Sequence, residues 1–249
     1  MATSEEHYDR LLADHYTWML GGDLELAAAG ERKKFEDLGI RSGALAVDLG
    51  CGPGPQTLAL ADLGFQTVIA VDMSQALLDE LEAHSRTRPS TIKTCRADLL
   101  DVLPGVLDGS PADVVVCMRD TLLHLPDRAA VADLFGQVAE ALAPSASFVL
   151  TYRDLTQPLM GIDRMMPVRS DDERIMLCVL DFDAPETVSV NDLVYTRGPE
   201  GWELHKSSYP KLRLAPAWIQ AQLAAAGLKI AVHEVGPGGM WTTLARSPA

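Results

Sequence analysis

The chain is short of positive charge and of long apolar runs. It has 21 Lys and Arg against 35 Asp and Glu, which gives a formal net charge of −14. This balance disfavours the extended phosphate-binding surface of nucleic-acid enzymes, so we expect a small-molecule substrate and no nucleic-acid partner. The chain contains no apolar run of about eighteen residues and no basic-then-apolar leader, so we expect a cytoplasmic protein without membrane contact.

Cysteine is also scarce. The four cysteines are dispersed, and three of them fall in or beside predicted buried strands, where a thiol acts as a small apolar group. Their spacing matches neither a disulfide framework nor a zinc site, so no metal is expected. With 249 residues, 47% of them hydrophobic, the chain is long enough for one domain with a sizeable core.

Strand and helix patterns alternate over residues 44–152, as in a doubly wound parallel sheet. Strands are predicted near 44–48, 66–71, 91–95, 112–118 and 146–152, and helices over 56–63, 75–84 and 128–142. Period-two stretches then predict an antiparallel insertion at 174–182, 187–197 and 202–214. A helix over 216–226 and strands near 229–235 and 240–246 close the chain.

A glycine-rich turn follows the first strand. Residues 47–54 run from an apolar strand through Asp48 into Gly50, Gly52 and Gly54, and a helix comes next. Glycines let a ligand approach the backbone, and the helix start offers unpaired N–H groups. The turn therefore predicts a ligand site at the carboxyl end of the sheet.

The chain resembles the class I S-adenosylmethionine-dependent methyltransferases. Their first motif is an acidic residue, an apolar residue and Gly-x-Gly-x-Gly, as at residues 48–54. An apolar run then ends in Asp72, a third short strand is followed by Asp98, and a fourth strand leads into residues 119–124. The four motifs stand in the order that the family shows.

The resemblance implies an α/β fold with a Rossmann-like, seven-stranded, mostly parallel sheet and an antiparallel β insertion after strand 5. The expected division is an N-terminal helical cap over 1–43, a cofactor-binding core over 44–157 and 215–249, and a lid loop with the insertion over 158–214. The implied activity is methyl transfer from S-adenosylmethionine, by in-line displacement, to N or O of a small molecule; a homodimer is also possible.

The resemblance also assigns cofactor-binding residues in the four motifs and the N-terminal helix. Asp72 is placed to accept the ribose hydroxyls, and Asp98 to contact the adenine. The complete set is Asp48, Gly50, Cys51, Gly52, Gly54, Asp72, Met73, Asp98, Leu99, Met118, Arg119 and Tyr16. In the N-terminal helix Tyr16 and Trp18 either line the pocket or pack against a sheet edge.

Candidate catalytic residues follow strands four and five. His124 has a near-neutral unperturbed pKa and is a candidate base, or else it only packs before Pro126. Arg119 either binds a substrate carboxylate or pairs with a neighbouring aspartate. Tyr152 and Arg153 offer a ring and a cation to substrate, or else an ordinary ion pair forms at this strand end.

Two later segments stay open. The methionine-rich stretch 158–174 is expected to be a lid loop, and residues 207–213 either complete the pocket or make a dimer contact. Two other functions compete with methyl transfer. A non-catalytic S-adenosylmethionine-binding or regulatory protein would keep the cofactor motif, whereas an NAD-dependent dehydrogenase needs Gly-x-Gly-x-x-Gly, which this turn lacks.

Overall fold

A seven-stranded sheet lies at the centre of the protein, and a four-stranded antiparallel sheet lies beside it. We describe residues 3–249 from a computed structural model. The strands are β1 Leu45–Leu49, β2 Thr67–Asp72, β3 Thr91–Arg96, β4 Ala112–Cys117, β5 Leu142–Arg153, β6 Met165–Ser170, β7 Arg174–Asp181, β8 Thr187–Gly198, β9 Gly201–Leu212, β10 Lys229–Val235 and β11 Met240–Arg246.

The order of the central sheet is β10-β11-β5-β4-β1-β2-β3. Its strands are parallel except β11, which pairs antiparallel with both β5 and β10. The chain order reverses between β1 and β4, and a ligand crevice forms at such a switch point. The predicted fold class, a mostly parallel sheet with an antiparallel insertion after strand 5, is confirmed.

Helices cover both faces of this sheet, except the first two of the chain, which pack on the second sheet. Their bounds are α1 Ser4–His7, α2 Ala13–Met19, α3 Leu24–Asp37, α4 Pro55–Asp62, α5 Gln75–Ser85, α6 Leu99–Val106, α7 Arg128–Ala141 and α8 Pro216–Ala225, with a π-helical segment Tyr8–Leu12 between α1 and α2. Within residues 3–249 no helix is both long and apolar enough to cross a bilayer.

The core lies between the helices and the central strands. All five residues of β1 are buried, as expected of a parallel strand covered on both faces. One apolar cluster packs α6, α7 and α8 on one face, and others pack α3, α4 and α5 on the opposite face. Each fully buried Leu or Phe contributes about 1.5–3 kcal/mol, so these layers hold the strand ends in place.

The expected lid loop is partly wrong. Residues 165–170 form β6, which pairs antiparallel with β7 and is the edge of the second sheet, ordered β6-β7-β8-β9. Pro167 obscures the strand pattern in the sequence, yet it is tolerated because β6 is an edge strand with a register shift between Pro167 and Arg169. Helix α7 also ends at Ala141, earlier than predicted, because Leu142 is already extended.

The N-terminal helices pack on the second sheet. Leu11 and Leu12 form an apolar cluster with Met176 of β7 and Val194 of β8. The helical cap is therefore tied to the antiparallel insertion by buried contacts, and both stand over the carboxyl ends of the central strands.

Candidate active site

The three glycines of the turn after β1 have positive φ angles of 73°, 54° and 93° at Gly50, Gly52 and Gly54. A Cβ at Gly50 would lie 2.2 Å from Thr121, and one at Gly54 would lie 2.2 Å from Leu81. These two glycines are thus required by packing as well as by backbone conformation. The Cβ position of Gly52 has more room, since its nearest neighbour is Tyr16 Cε1 at 3.5 Å.

Asp48 is buried beneath this turn. Thr57 Oγ1 donates a hydrogen bond to its carboxylate at 2.6 Å, and burial raises the pKa of Asp48 to about 7. Neither Asp48 nor the buried Cys51 lines a cavity in the described part of the chain. Both residues support the turn from below, because their side chains point away from its open side.

Asp72 lies at the end of β2, where it holds the turn from the other side. Its carboxylate accepts hydrogen bonds from the backbone N–H groups of Gly52 at 2.8 Å and Ser74 at 2.9 Å. Asp98 accepts a hydrogen bond from Leu100 N at 3.0 Å and caps α6. The two carboxylates line the same cavity and make its electrostatic potential more negative.

This first cavity, which we call the cofactor cavity after its predicted ligand, has an empty volume of about 800 Å³. It is bounded by the glycine turn, by the residues that follow β2 and β3, and by aromatic rings from the N-terminal helices. Among its described lining residues none is Lys or Arg: they are Tyr8, Tyr16, Gly50, Gly52, Asp72, Met73, Ser74, Asp98, Leu99, Thr121, His124, Leu125 and Pro126.

A second cavity, which we call the acceptor cavity after the predicted methyl acceptor, has an empty volume of about 1300 Å³ and lies under the antiparallel sheet. It is mainly apolar, with a few charged groups. Tyr8 and Tyr16 line both cavities and form the partition between them. Their ring centroids are 5.7 Å apart, and burial raises the pKa of both hydroxyls, so the partition is uncharged.

The loop after β4 borders the acceptor cavity with two residues in the left-handed region, Arg119 at φ 58° and Asp120 at φ 67°. Arg119 N–H donates to Thr151 Oγ1 at 2.7 Å, and its guanidinium donates to Glu31 of α3 at 2.7 Å. The sequence suggested a neighbouring aspartate as partner of Arg119; the partner is instead a residue 88 positions away. Such non-glycine backbone strain is common at functional sites.

Asp120 is the centre of an ion network in the acceptor cavity. It accepts hydrogen bonds from the Arg153 guanidinium at 2.6 Å and from Lys211 Nζ at 3.1 Å. Burial alone would raise the pKa of Asp120, but Lys211 and Arg153 outweigh it and hold that pKa well below its usual range. Two cations surround one carboxylate, so the network carries net positive charge in an acidic protein.

His124 lines the cofactor cavity and takes part in a ring cluster. Its imidazole stacks on Tyr209 at 5.4 Å and meets Tyr8 edge-on at 5.7 Å. Burial, aided by Lys211, lowers the pKa of His124 to about 3. That value lies well below the near-neutral pKa expected from the sequence, because the ring is desolvated; His124 is therefore neutral and weakly basic at physiological pH.

Two predicted site residues lie in the core. Tyr152 is fully buried in the cluster around α7 and α8, and its hydroxyl has no hydrogen-bond partner in the described part of the chain. Met118 is buried against the opposite face of the sheet. Neither side chain lines a cavity formed by the described residues, because alternate residues of a strand end point to opposite faces.

Tyr16 and Trp18 take different positions, although the sequence offered them together. Trp18 Nε1 donates to Asp171 at 2.5 Å, and its ring lies 5.2 Å from the Arg169 guanidinium and 5.7 Å from that of Arg174. Trp18 therefore packs on the edge of the second sheet, which was the alternative left open, while Tyr16 lines both cavities.

Several cavity residues carry no local sequence signal. The acceptor cavity takes Asp192 from β8 and Tyr209 and Lys211 from β9. For residues 207–213 the sequence predicts either a part of the pocket or a dimer contact, and in the structure Tyr209 and Lys211 line the pocket. Asp192 was missed, because a single aspartate in an alternating strand resembles any solvated residue.

Residues 46–145 match the family described as "Methyltransferase domain". These residues are thus similar to a methyltransferase domain, and the fold of the chain is that of the solved class I S-adenosylmethionine-dependent methyltransferases. This confirms the resemblance seen in the sequence, and S-adenosylmethionine is the cofactor of that class. A solved S-adenosylmethionine-dependent methyltransferase from Clostridium acetobutylicum superposes with a TM-score of 0.73 at 19% identity, over 98% of this chain and 97% of that one.

Two other proteins illustrate the range of similar proteins. The chain is 33% identical over 123 residues to the ubiquinone biosynthesis O-methyltransferase of Methylococcus capsulatus, which covers 47% of this chain and 49% of that protein. The sugar N-methyltransferase KedS8 from Streptoalloteichus sp. has a TM-score of 0.71 at 20% identity, over 95% of this chain and 92% of its own. The chain spans about half the length of the curated relatives it matches.

Proposed function

We propose that this protein is a methyltransferase that transfers the methyl group of S-adenosylmethionine, by in-line displacement, to N or O of a small molecule. The observation that carries the proposal is the pair of cavities that meet at Tyr8 and Tyr16. Ligands bound in two adjoining cavities can approach in line beside these two rings, and proximity supplies most of the acceleration in such a displacement.

The cofactor cavity fits S-adenosylmethionine on several counts. A side chain at Gly52 would enter the gap between the turn and Tyr16. Asp72 is placed to accept hydroxyl groups, and Met73 and Leu99 offer apolar surface to a flat base. When bound, the cofactor supplies a methyl group on a positively charged sulfur; neutral rings and carboxylates suit that charge.

The acceptor cavity suggests the acceptor. Apolar and aromatic side chains from β6, β7, β8 and the N-terminal segment line most of it, and the network of Asp120, Arg153 and Lys211 adds net positive charge at one side. We infer that the acceptor is a partly apolar metabolite with an anionic group. Arg119 and Arg153 are the candidate ligands of that group, and neutral His124 is the candidate contact at the cofactor side.

The proposal is tested by calorimetric titration with S-adenosylmethionine and S-adenosylhomocysteine. We expect micromolar affinity, weakened about tenfold or more in Asp72→Ala, because the carboxylate would lose its ligand hydrogen bonds and release the glycine turn. Asp79→Ala, on the exposed side of α5, is the matched control and should bind normally. Absence of binding by the native protein would refute the proposal.

Turnover then separates the enzyme from a non-catalytic binding protein. Methyl transfer to any member of a panel of small acids bearing amines or hydroxyls would establish catalysis, whereas cofactor binding without transfer across a broad panel would favour the regulatory alternative. The homodimer and the cytoplasmic location stay predictions, which light scattering and cell fractionation check.

A further inference from the structure

The acceptor cavity contains a second buried carboxylate, Asp192 of β8, whose surroundings differ from those of Asp120. His7 Nε2 lies 3.0 Å from Asp192 Oδ2, and the side chains of both residues are almost fully buried. The Cys178 thiol, opposite Asp192 in the sheet, also hydrogen bonds to it. Neither of these two partners carries a fixed positive charge.

His7 contacts Asp192 through one of its two ring nitrogens. His7 Nδ1 is buried and has no hydrogen-bond partner in the described part of the chain. The cations Lys211 and Arg153 line the same cavity but pair with Asp120. Among the described residues, Asp192 therefore faces the cavity without a Lys or Arg partner of its own.

A buried carboxylate that faces a ligand cavity without a Lys or Arg partner favours a cationic ligand group. We infer that Asp192 binds the amine of the methyl acceptor, which enters as an ammonium, and that His7 is the positioning residue that orients the carboxylate. This inference rests on the proposed function and makes it more specific, because it selects nitrogen as the methylated atom.

The location supports this role. Tyr209 lines the acceptor cavity and lies between two imidazoles, with its ring centroid 4.1 Å from His7 and 5.4 Å from His124. The rings connect the Asp192 side of the acceptor cavity with the cofactor cavity. The second sheet thus brings an amine-binding carboxylate toward the partition where the two ligands meet.

The chemical step balances without another reactant. The ammonium gives one proton to Asp192, which later releases it to water. The freed nitrogen lone pair forms the N–C bond while the C–S bond breaks, and that electron pair stays on sulfur. The nitrogen takes over the positive charge, and Asp192 faces that charge throughout.

The test compares a matched pair of probes, benzylamine and benzyl alcohol, on the full-length protein saturated with S-adenosylhomocysteine. We expect the native protein to bind benzylamine about tenfold more tightly than benzyl alcohol, since the amine alone carries a charge. Asp192→Asn keeps the side-chain shape and should abolish this preference without changing the affinity for S-adenosylhomocysteine. Asp181→Asn, a carboxylate of the same sheet outside both cavities, is the control.

His7 is tested by its conservative variant. His7→Gln retains a side-chain N–H donor for Asp192 and should keep most of the preference for benzylamine, whereas His7→Leu should lose it. A mere packing role for His7 would favour leucine over glutamine, which is the opposite order.

The outcomes separate the two proposals. If the native protein fails to bind S-adenosylhomocysteine, both the proposed methyl transfer and the role of Asp192 are refuted. Binding of S-adenosylhomocysteine with equal affinity for the two probes, or an amine preference that persists in Asp192→Asn, overturns the role of Asp192 alone.

Discussion

The two cavities are built in different ways. The cofactor cavity takes most of its walls from turns that directly follow β1, β2 and β3, so neighbouring residues in the chain are neighbours in space. The acceptor cavity depends on contacts between distant segments: His7 with Asp192 across 185 positions, and Lys211 with Asp120 across 91. The local backbone conformation determines most of the shape of the cofactor cavity. Ion pairs and packing between distant segments determine the shape of the acceptor cavity.

The largest expected effect lies in the cofactor half. Gly54→Ala adds a methyl group at a φ of 93° and 2.2 Å from Leu81, so we expect the free energy of unfolding to fall by about 3–4 kcal/mol. Gly39→Ala also has a positive φ, 77°, but meets no atom within 4 Å, and should cost only about 1 kcal/mol. Equal losses in urea unfolding would show that the contact with Leu81 has no energetic weight.

Two buried carboxylates, one in each half, should give opposite pH dependence. Asp48 has a folded pKa of about 7, above the unfolded value of about 3.9, so the folded state binds the extra proton and stability falls as pH rises between these values. Asp120 has a depressed folded pKa, so its contribution is present above about pH 4 and is lost as pH falls toward the folded pKa.

Substitution of each aspartate by asparagine separates the contributions of Asp48 and Asp120 to the pH dependence of stability. Asp48→Asn should flatten the decline of stability between about pH 4 and 7, which we expect to reach about 2–3 kcal/mol in the native protein. Asp120→Asn should instead lower stability at neutral pH, because Lys211 and Arg153 lose their partner, and should reduce the loss on acidification. Chemical denaturation across this pH range measures both, and parallel curves for the two variants would contradict the assignment.

The partition between the cavities should matter for binding more than for stability. Tyr16→Ala removes a ring shared by both cavities, and we expect the Kd for S-adenosylhomocysteine to rise about tenfold. Trp18→Ala removes a comparable ring that packs between Arg169 and Arg174 on the second sheet, so the Kd should change less than about threefold. The order of the two effects, measured by calorimetry, is the decisive result.

The same division explains what the sequence could predict. The positions of the central strands, the glycine turn, and the places of Asp72 and Asp98 at strand ends follow from local patterns, whereas the seven-stranded sheet was implied by the family resemblance. The ion partner of Arg119 could not be predicted, because Glu31 reaches it only through the packing of α3 on the sheet. The roles of β6 and Asp192 were missed for related reasons: an edge strand with a proline has no clear period, and a buried carboxylate is recognised only from its neighbours.

The smallest expected effect concerns Tyr152, a residue that the sequence places in the active site and the structure places in the core. Tyr152 was a catalytic candidate because it follows a strand end, yet its ring is buried in the core and its hydroxyl lacks a partner in the described part of the chain. Removing an unsatisfied buried hydroxyl costs little, so Tyr152→Phe should change the free energy of unfolding by less than about 0.5 kcal/mol and leave S-adenosylhomocysteine affinity intact. The Tyr152→Phe variant should methylate any acceptor found for the native protein at the native rate, because the Tyr152 hydroxyl lines neither cavity. A severalfold loss of turnover at unchanged stability would show that the Tyr152 hydroxyl takes part in catalysis. It would then support the prediction that residues near the end of β5 contact the acceptor directly.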